Sequence, residues 1–415
     1  MISELVISPT PRAHFGVGSI GGLPGIVRGT GGGAVVVVTD AALAATPVVA
    51  SVAGALEAAG VPVTVFGEVH PNPTTGDLAA GADAVAGAAG ATGSSRAARV
   101  TGLSGAAGSA GAAGAAGAGR ITLVAVGGGS PIDAAKGIAL AAVNPQRGRG
   151  LDYRGEFASP ALPIVAVPTT AGTGAETNAF GVVTDPQSRR KFYVGHASTL
   201  PAAAVLDPGL TVGLPPPATA ATGMDALTHA LESYLSVRAN PWSDGIALQV
   251  IRMIAVHLPR AYADGQDLEA RAQMLLAAHM AGIGMATTGL GLCHAVGHAL
   301  GGRFDIAHGV ALTMLLPEVL RFNAAVCAER LADVAAALGV ADPARSSARN
   351  ADAAIDAVAG LAGRVGMTQR MAGLGITGAE FGQIAADALD DEVLTNAPRQ
   401  PNAADIHALL EAAWR

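Results

Sequence analysis

Two pairs of metal-ligand residues stand four apart in the carboxyl-terminal half of the chain: Asp225 and His229 in GMDALTHALE, and His294 and His298 in GLCHAVGHALGG. A helix would bring the members of each pair to one face, within reach of a single ion. His308 follows, beyond the Gly301-Gly302 break. A lone histidine on an apolar helix is ordinarily a satisfied core residue. One carboxylate and several imidazoles in glycine-rich, otherwise uncharged surroundings favour a metal site instead. Spacing leaves open whether His298 or His308 joins Asp225, His229 and His294. Imidazole and carboxylate donors without thiolate suit Fe2+ or Zn2+. Cys293 adjoins His294 but would point off the His294/His298 face, as a small buried hydrophobe.

The amino-terminal half carries a different chemistry. The apolar run Ile121 to Val126 leads directly into Gly127, Gly128, Gly129 and Ser130, with a helix expected from Ile132 and Pro131 near its start. Glycines let the backbone approach a phosphate closely, and free N–H groups at a helix start favour negative charge. The spacing is neither G-x-G-x-x-G nor that of a Walker loop. The loop reads as a diphosphate cradle, with a tight strand-to-helix turn as the plainer alternative. Asp40, at the end of another apolar run, can accept hydrogen bonds from ribose hydroxyls and repel a 2′-phosphate, favouring NAD over NADP. Capping the next helix would explain it equally well. Thr169 to Glu176 (TTAGTGAE) supplies further hydroxyls and bare backbone.

These residues need elements to position them. Ala34 to Thr39, Val61 to Phe66, Ile121 to Val126 and Pro163 to Val167 read as buried parallel strands, with helix-length segments after the first three. That is a doubly wound α/β pattern over residues 1–213. From Leu214 onward, after Pro215, Pro216 and Pro217, long alanine- and leucine-rich segments of helical period predict an all-helical domain over 214–415. Residues 85–119 form a Gly/Ala/Ser-rich tract, with glycine at 102, 105, 108, 111, 114 and 117 but no proline. A collagen helix is thereby excluded, and the tract reads as a flexible insertion without chemistry.

Composition limits the function classes. Of 415 residues 50% are apolar and 14% charged, with a net charge of −7, which fits neither disorder nor a general grip on nucleic acid. Two cysteines make no disulfide framework, and no basic segment leads into an apolar export signal; a cytoplasmic setting is the expectation. Between Arg271 and Arg303 there is no Asp, Glu, Lys or Arg. Its histidines and glycines point to a buried helix pair rather than a membrane span.

Several long motifs occur together: PNPT at 71–74, GGGSPIDAAK at 127–136, PTTAGTGAE at 168–176, DPGLTVGLPP from Asp207, TGMDALTHALESY at 222–234, CHAVGHALGGRFDIAHGVA at 293–311 and NAPRQP from Asn396. On these the chain resembles the iron-containing (group III) alcohol dehydrogenases over nearly its whole length, the Gly/Ala tract apart. The resemblance implies metal ligands at Asp225, His229, His294 and His308, with His298 beside the metal in proton transfer. It implies cofactor contacts at Asp40, Asn72, Gly128, Gly129, Ser130, Asp133, Thr169, Thr170, Thr173 and Lys191. It also implies NAD, Fe2+ with Zn2+ as the alternative, and a homodimer. Ala307 stands where many relatives have proline, a departure that bears on loop rigidity.

Such an enzyme transfers hydride between a small alcohol, or the corresponding aldehyde or ketone, and NAD. A dication on the substrate oxygen acts as a Lewis acid, favouring the alkoxide in one direction and polarising the carbonyl in the other. Two other readings are an NAD-using lyase or cyclase of the dehydroquinate-synthase type, and a noncatalytic metal-binding protein. Neither nucleic acid nor membrane is an expected partner.

Overall fold

A computed structural model describes residues 7, 9–91, 121–188 and 190–414. These form two compact units, one of Pro11–Thr169 with Ala175–Leu210, the other chiefly of Thr170–Gly174 with Thr211–Arg415.

The first unit contains the strands β1 (Arg12–Phe15), β2 (Ala34–Asp40), β3 (Val63–Val69), β4 (Ile121–Gly127), β5 (Ile164–Pro168), β6 (Phe180–Asp185), β7 (Arg190–Gly195) and β8 (Ala203–Leu206). Six make one sheet in the order β1-β8-β5-β4-β2-β3, every neighbour parallel. The valine run of β2 shows why both faces are covered. Val35 and Val37 join Val27, Val52 and Leu56, from helices Leu23–Gly29 and Pro47–Ala58, on one side. Val36 and Val38 join Leu78, Ile132 and Ile138, from helices Thr75–Ala91 and Gly129–Ala141, on the other. A strand with no solvent face reads as a continuous apolar run.

From β2 the chain passes to β3 on one side, then returns to β4 on the other. Such a reversal opens a crevice at the carboxyl ends of the two strands. Asp40 ends β2 and Gly127 ends β4, so the expected ribose acceptor and glycine loop sit on neighbouring strands at the switch point.

The sequence missed four strands. β1 and β8 are four residues each, and β1 is largely exposed, so neither makes a long apolar run. β6 and β7 pair antiparallel, Phe180 opposite Gly195. The second strand runs from Val63 to Val69 rather than from Val61 to Phe66. Residues 85–91 of the expected flexible tract are helical, the last turns of Thr75–Ala91; residues 92–119 of it lie outside the described residues.

Lys136 locks the helix after the glycine loop to the β6/β7 hairpin. Fully buried, its Nζ donates to the carbonyls of Ala175 (2.7 Å) and Phe180 (2.5 Å) and to Asn178 Oδ1 (3.0 Å), with Asp133 Oδ1 at 3.6 Å. Burial lowers its pKa, with Asp133 opposing.

The second unit is helical over its described residues after Thr211: Pro216–Leu235, Pro241–Ala263, Leu268–Thr288, Leu292–Phe304, His308–Ala337, Ser347–Arg364, Phe381–Leu389 and Ala403–Trp414, with short 3-10 turns. Pro216 and Pro217 open the first helix, where missing N–H groups cost nothing. The charge-free stretch forms Leu268–Thr288 and Leu292–Phe304, bent by 105°. By length and composition this pair, and His308–Ala337 alone, would suit a membrane; here they share one apolar core with the other helices.

Replacing Lys136 with Met leaves the Ala175 and Phe180 carbonyls, Asn178 Oδ1 and Asp133 without their cation. We expect Lys136→Met to destabilise the first unit by about 3 kcal/mol, measured by urea unfolding; a loss under about 1 kcal/mol would contradict the role given to this lysine.

Candidate active site

Helix Pro216–Leu235 presents Asp225 and His229 on one face, Leu292–Phe304 presents His294 and His298, and His308 is the first residue of His308–Ala337. The last two helices are joined by residues 305–307, in which Asp305 takes the left-handed conformation, φ 52°. Ala307 caps the second helix with φ −55°, already the angle a proline would impose. The departure at Ala307 therefore leaves the local backbone path intact. Gly309 sets the approach of the helices, since a Cβ there would lie 2.1 Å from the Ala221 carbonyl oxygen.

The convergence is centred on Asp225. Its Oδ1 lies 3.5 Å from His229 Nε2, 3.8 Å from His294 Nε2 and 3.7 Å from His308 Nε2. The His229 and His294 rings stack at 4.6 Å. Asp225, His229 and His294 are buried, and their ligand atoms lie within 4.8 Å of one another. Asp225 Oδ1 and His294 Nε2 have no hydrogen-bond partner among the described residues, an arrangement that a shared cation satisfies and that apolar packing does not. The donor set therefore fits a divalent metal.

Electrostatics of the bare pocket agree. Burial pushes the Asp225 carboxyl up, but His229, His294 and His308 together hold it well below the usual carboxylate range. Burial lowers His229 to about 4 despite the pull of Asp225. Burial also disfavours charge on His294, yet Asp225 and Glu232 outweigh it and raise the ring to about 9.

His298 lies to one side. Its ring stacks on His308 at 5.5 Å, and its Nδ1 is 2.7 Å from Asp391 Oδ2. Asp391, like Glu232 beside His294 (2.6 Å), was not identified from the sequence. Glu232 lies one turn beyond His229 on the same helix, a legible signal. Asp391 is separated from His298 by 93 positions and offers none. Cys293 is fully buried with its Sγ on the Leu312 carbonyl, and burial raises its thiol.

The cofactor candidates are spread over several segments. Gly127 has φ +148°, with Pro131 Cγ 2.6 Å from where a Cβ would stand; Gly128 is the N-cap of helix Gly129–Ala141, and no side chain caps it. The N–H groups around Gly128, Gly129 and Ser130 thus begin a 13-residue helix. Asp40 does cap the short helix Ala41–Ala44, its Oδ1 accepting from Leu43 N–H at 2.8 Å. Asn72, in the left-handed region at φ 54°, accepts from Lys191 Nζ at 3.0 Å, uniting two candidates 119 positions apart. Asp133 Oδ2 accepts from Val182 N–H. Thr169 N–H bonds the Gly127 carbonyl at 2.9 Å, in the first unit. Thr170 and Thr173 belong to the segment grouped with the helical unit.

A doubly wound nucleotide-binding sheet and a helical unit with a carboxylate–imidazole pocket define a metal-type dehydrogenase. Residues 9–91 and 106–208 match the family described as iron-containing alcohol dehydrogenase, and 219–414 match the carboxyl-terminal part of the Fe-containing alcohol dehydrogenase family. The chain is 43% identical over 291 residues to the probable alcohol dehydrogenase EutG of Escherichia coli K12, covering 70% of this chain and 72% of that protein. It is 32% identical to the NAD-dependent methanol dehydrogenase of Bacillus methanolicus, over 97% of this chain and 98% of the relative. A crystal structure of 1,3-propanediol oxidoreductase superposes with a TM-score of 0.87 at 34% identity, all of both chains covered. The chain belongs to the iron-containing alcohol dehydrogenase family. It is an oxidoreductase, an alcohol dehydrogenase acting on small alcohols or aldehydes; the lyase reading is not favoured.

Adding a methyl at Gly309 must part the helices that hold His308 and Asp225. Gly309→Ala is expected to destabilise the protein by about 1–3 kcal/mol and to weaken divalent-metal binding, read by thermal unfolding and metal titration. Wild-type values in both would contradict this packing account.

Proposed function

We propose that the chain catalyses NAD-dependent oxidation of a small alcohol and the reverse reduction, with Asp225, His229, His294 and His308 holding one divalent ion, Fe2+ by preference and Zn2+ as the alternative. One observation carries this: a buried, partnerless carboxylate oxygen faced by the Nε2 atoms of three histidines. When bound, the ion supplies Lewis acidity toward the substrate oxygen.

The chain's own residues do the remainder. The N–H groups of Gly128, Gly129 and Ser130 at a helix start suit the cofactor diphosphate, and Asp40 at the switch point suits a ribose. Asn72, Asp133, Thr169, Thr170, Thr173 and Lys191 complete the proposed cofactor contacts; the Lys191 bond to Asn72 and the Val182 bond to Asp133 pre-set two of them. Held there, NAD would supply the hydride acceptor, so that oxidation would balance as alcohol plus NAD+ giving carbonyl, NADH and a proton from the hydroxyl. Asp391 lies 2.7 Å from His298 Nδ1 and fixes the ring, and to this ring we assign uptake and onward transfer of that proton. A homodimer in the cytoplasm completes the reading; both cysteines are buried and free.

Chelation should abolish NADH formation from NAD and a panel of short alcohols, with Fe2+ restoring it. Full activity after demetallation would refute the metal reading, and catalysis without net NADH would favour the lyase. His298→Ala should lower kcat by about 10²-fold or more while metal stoichiometry and NAD affinity stay at wild-type values. An unchanged kcat would remove His298 from the reaction.

A further inference from the structure

Glu232 lies buried behind His294, on the side of the ring away from Asp225. Its carboxylate accepts three bonds: from His294 Nδ1 at 2.6 Å and Gly291 N–H at 3.0 Å on Oε2, and from Cys293 N–H at 2.6 Å on Oε1. Gly291 is the N-cap of helix Leu292–Phe304, and as glycine it has no side chain to cap with. A residue 59 positions earlier thus does the capping. The fit is close, because a Cβ on Gly291 would stand 3.2 Å from Glu232 Oε1.

A carboxylate is an acceptor only, so the hydrogen in the short His294 bond sits on Nδ1. The ring edge bearing Nε2 is thereby turned toward Asp225 Oδ1. Helix capping alone would need only the bonds from Gly291 and Cys293; the third, to the ring, is what joins the cap to the metal pocket.

We propose that Glu232 is a positioning residue of the metal centre, fixing the start of the helix that carries His294 and, through Nδ1, committing that ring to ligation at Nε2. This rests on the reading that the pocket holds a dication.

The test is a double-mutant cycle read by Zn2+ affinity, using competition with a chromophoric chelator. Glu232→Gln keeps the size, but its amide must confront either the Cys293 N–H or the pair formed by Gly291 N–H and His294. Expected is a 10- to 100-fold weaker Zn2+ affinity in Glu232→Gln, the range for a lost partner of a metal-bound histidine. Added to His294→Ala, the same change should alter affinity by less than about twofold. Wild-type affinity in Glu232→Gln, or an equal loss in both backgrounds, would overturn the proposal. Should the variant not fold, nitrogen-15 spectra of the Zn2+-loaded wild type decide: a proton on His294 Nδ1 is expected, and one on Nε2 overturns the assignment. A wild-type protein that takes up no Zn2+ would instead refute the metal reading on which this role depends.

Discussion

A single anionic oxygen in a largely buried pocket organises the helical unit. Asp225 Oδ1 is buried with no hydrogen-bond partner among the described residues, ringed by His229, His294 and His308 at 3.5 to 3.8 Å. Burying a carboxylate this way is costly unless a cation is shared with it. Helix packing follows from the same requirement. Among the contacts that let ligands on three helices approach one point, Gly309 admits the Ala221 carbonyl, and Asp305 takes a left-handed turn between two of the helices.

Orientation of the rings comes from outside the pocket. His294 and His298 share a helix, and each is held at Nδ1 by a carboxylate from a distant segment, Glu232 and Asp391 respectively. Two chemically equal imidazoles are thereby given different tasks, one facing Asp225 and the other stacked on His308. The α/β unit uses the same economy of rigid supports. Lys136 ties the helix after the glycine loop to the β6/β7 hairpin, and Gly127 adopts a backbone angle that other residues resist.

What the sequence disclosed follows the range of the interactions. Runs such as AVVVVT and ITLVAV announce buried parallel strands because each residue is satisfied locally by its face of the sheet. The pairs Asp225/His229 and His294/His298 announce a shared face because helix spacing is local too. β1 and β8 escaped notice because short edge or near-edge segments need no long apolar pattern. Asp391 escaped because only tertiary contact brings it to His298. The choice between His298 and His308 was likewise closed to spacing, because the two differ only in tertiary surroundings: His308 Nε2 lies 3.7 Å from Asp225 Oδ1, and His298 Nδ1 lies on Asp391.

X-ray absorption at the metal edge of protein purified without air or chelators tests the central claim most directly. The account predicts one bound ion with a shell of nitrogen and oxygen only, the multiple scattering of three imidazoles, and no sulfur. Sulfur in that shell, or fewer than two imidazoles, would contradict a centre built on Asp225, His229, His294 and His308.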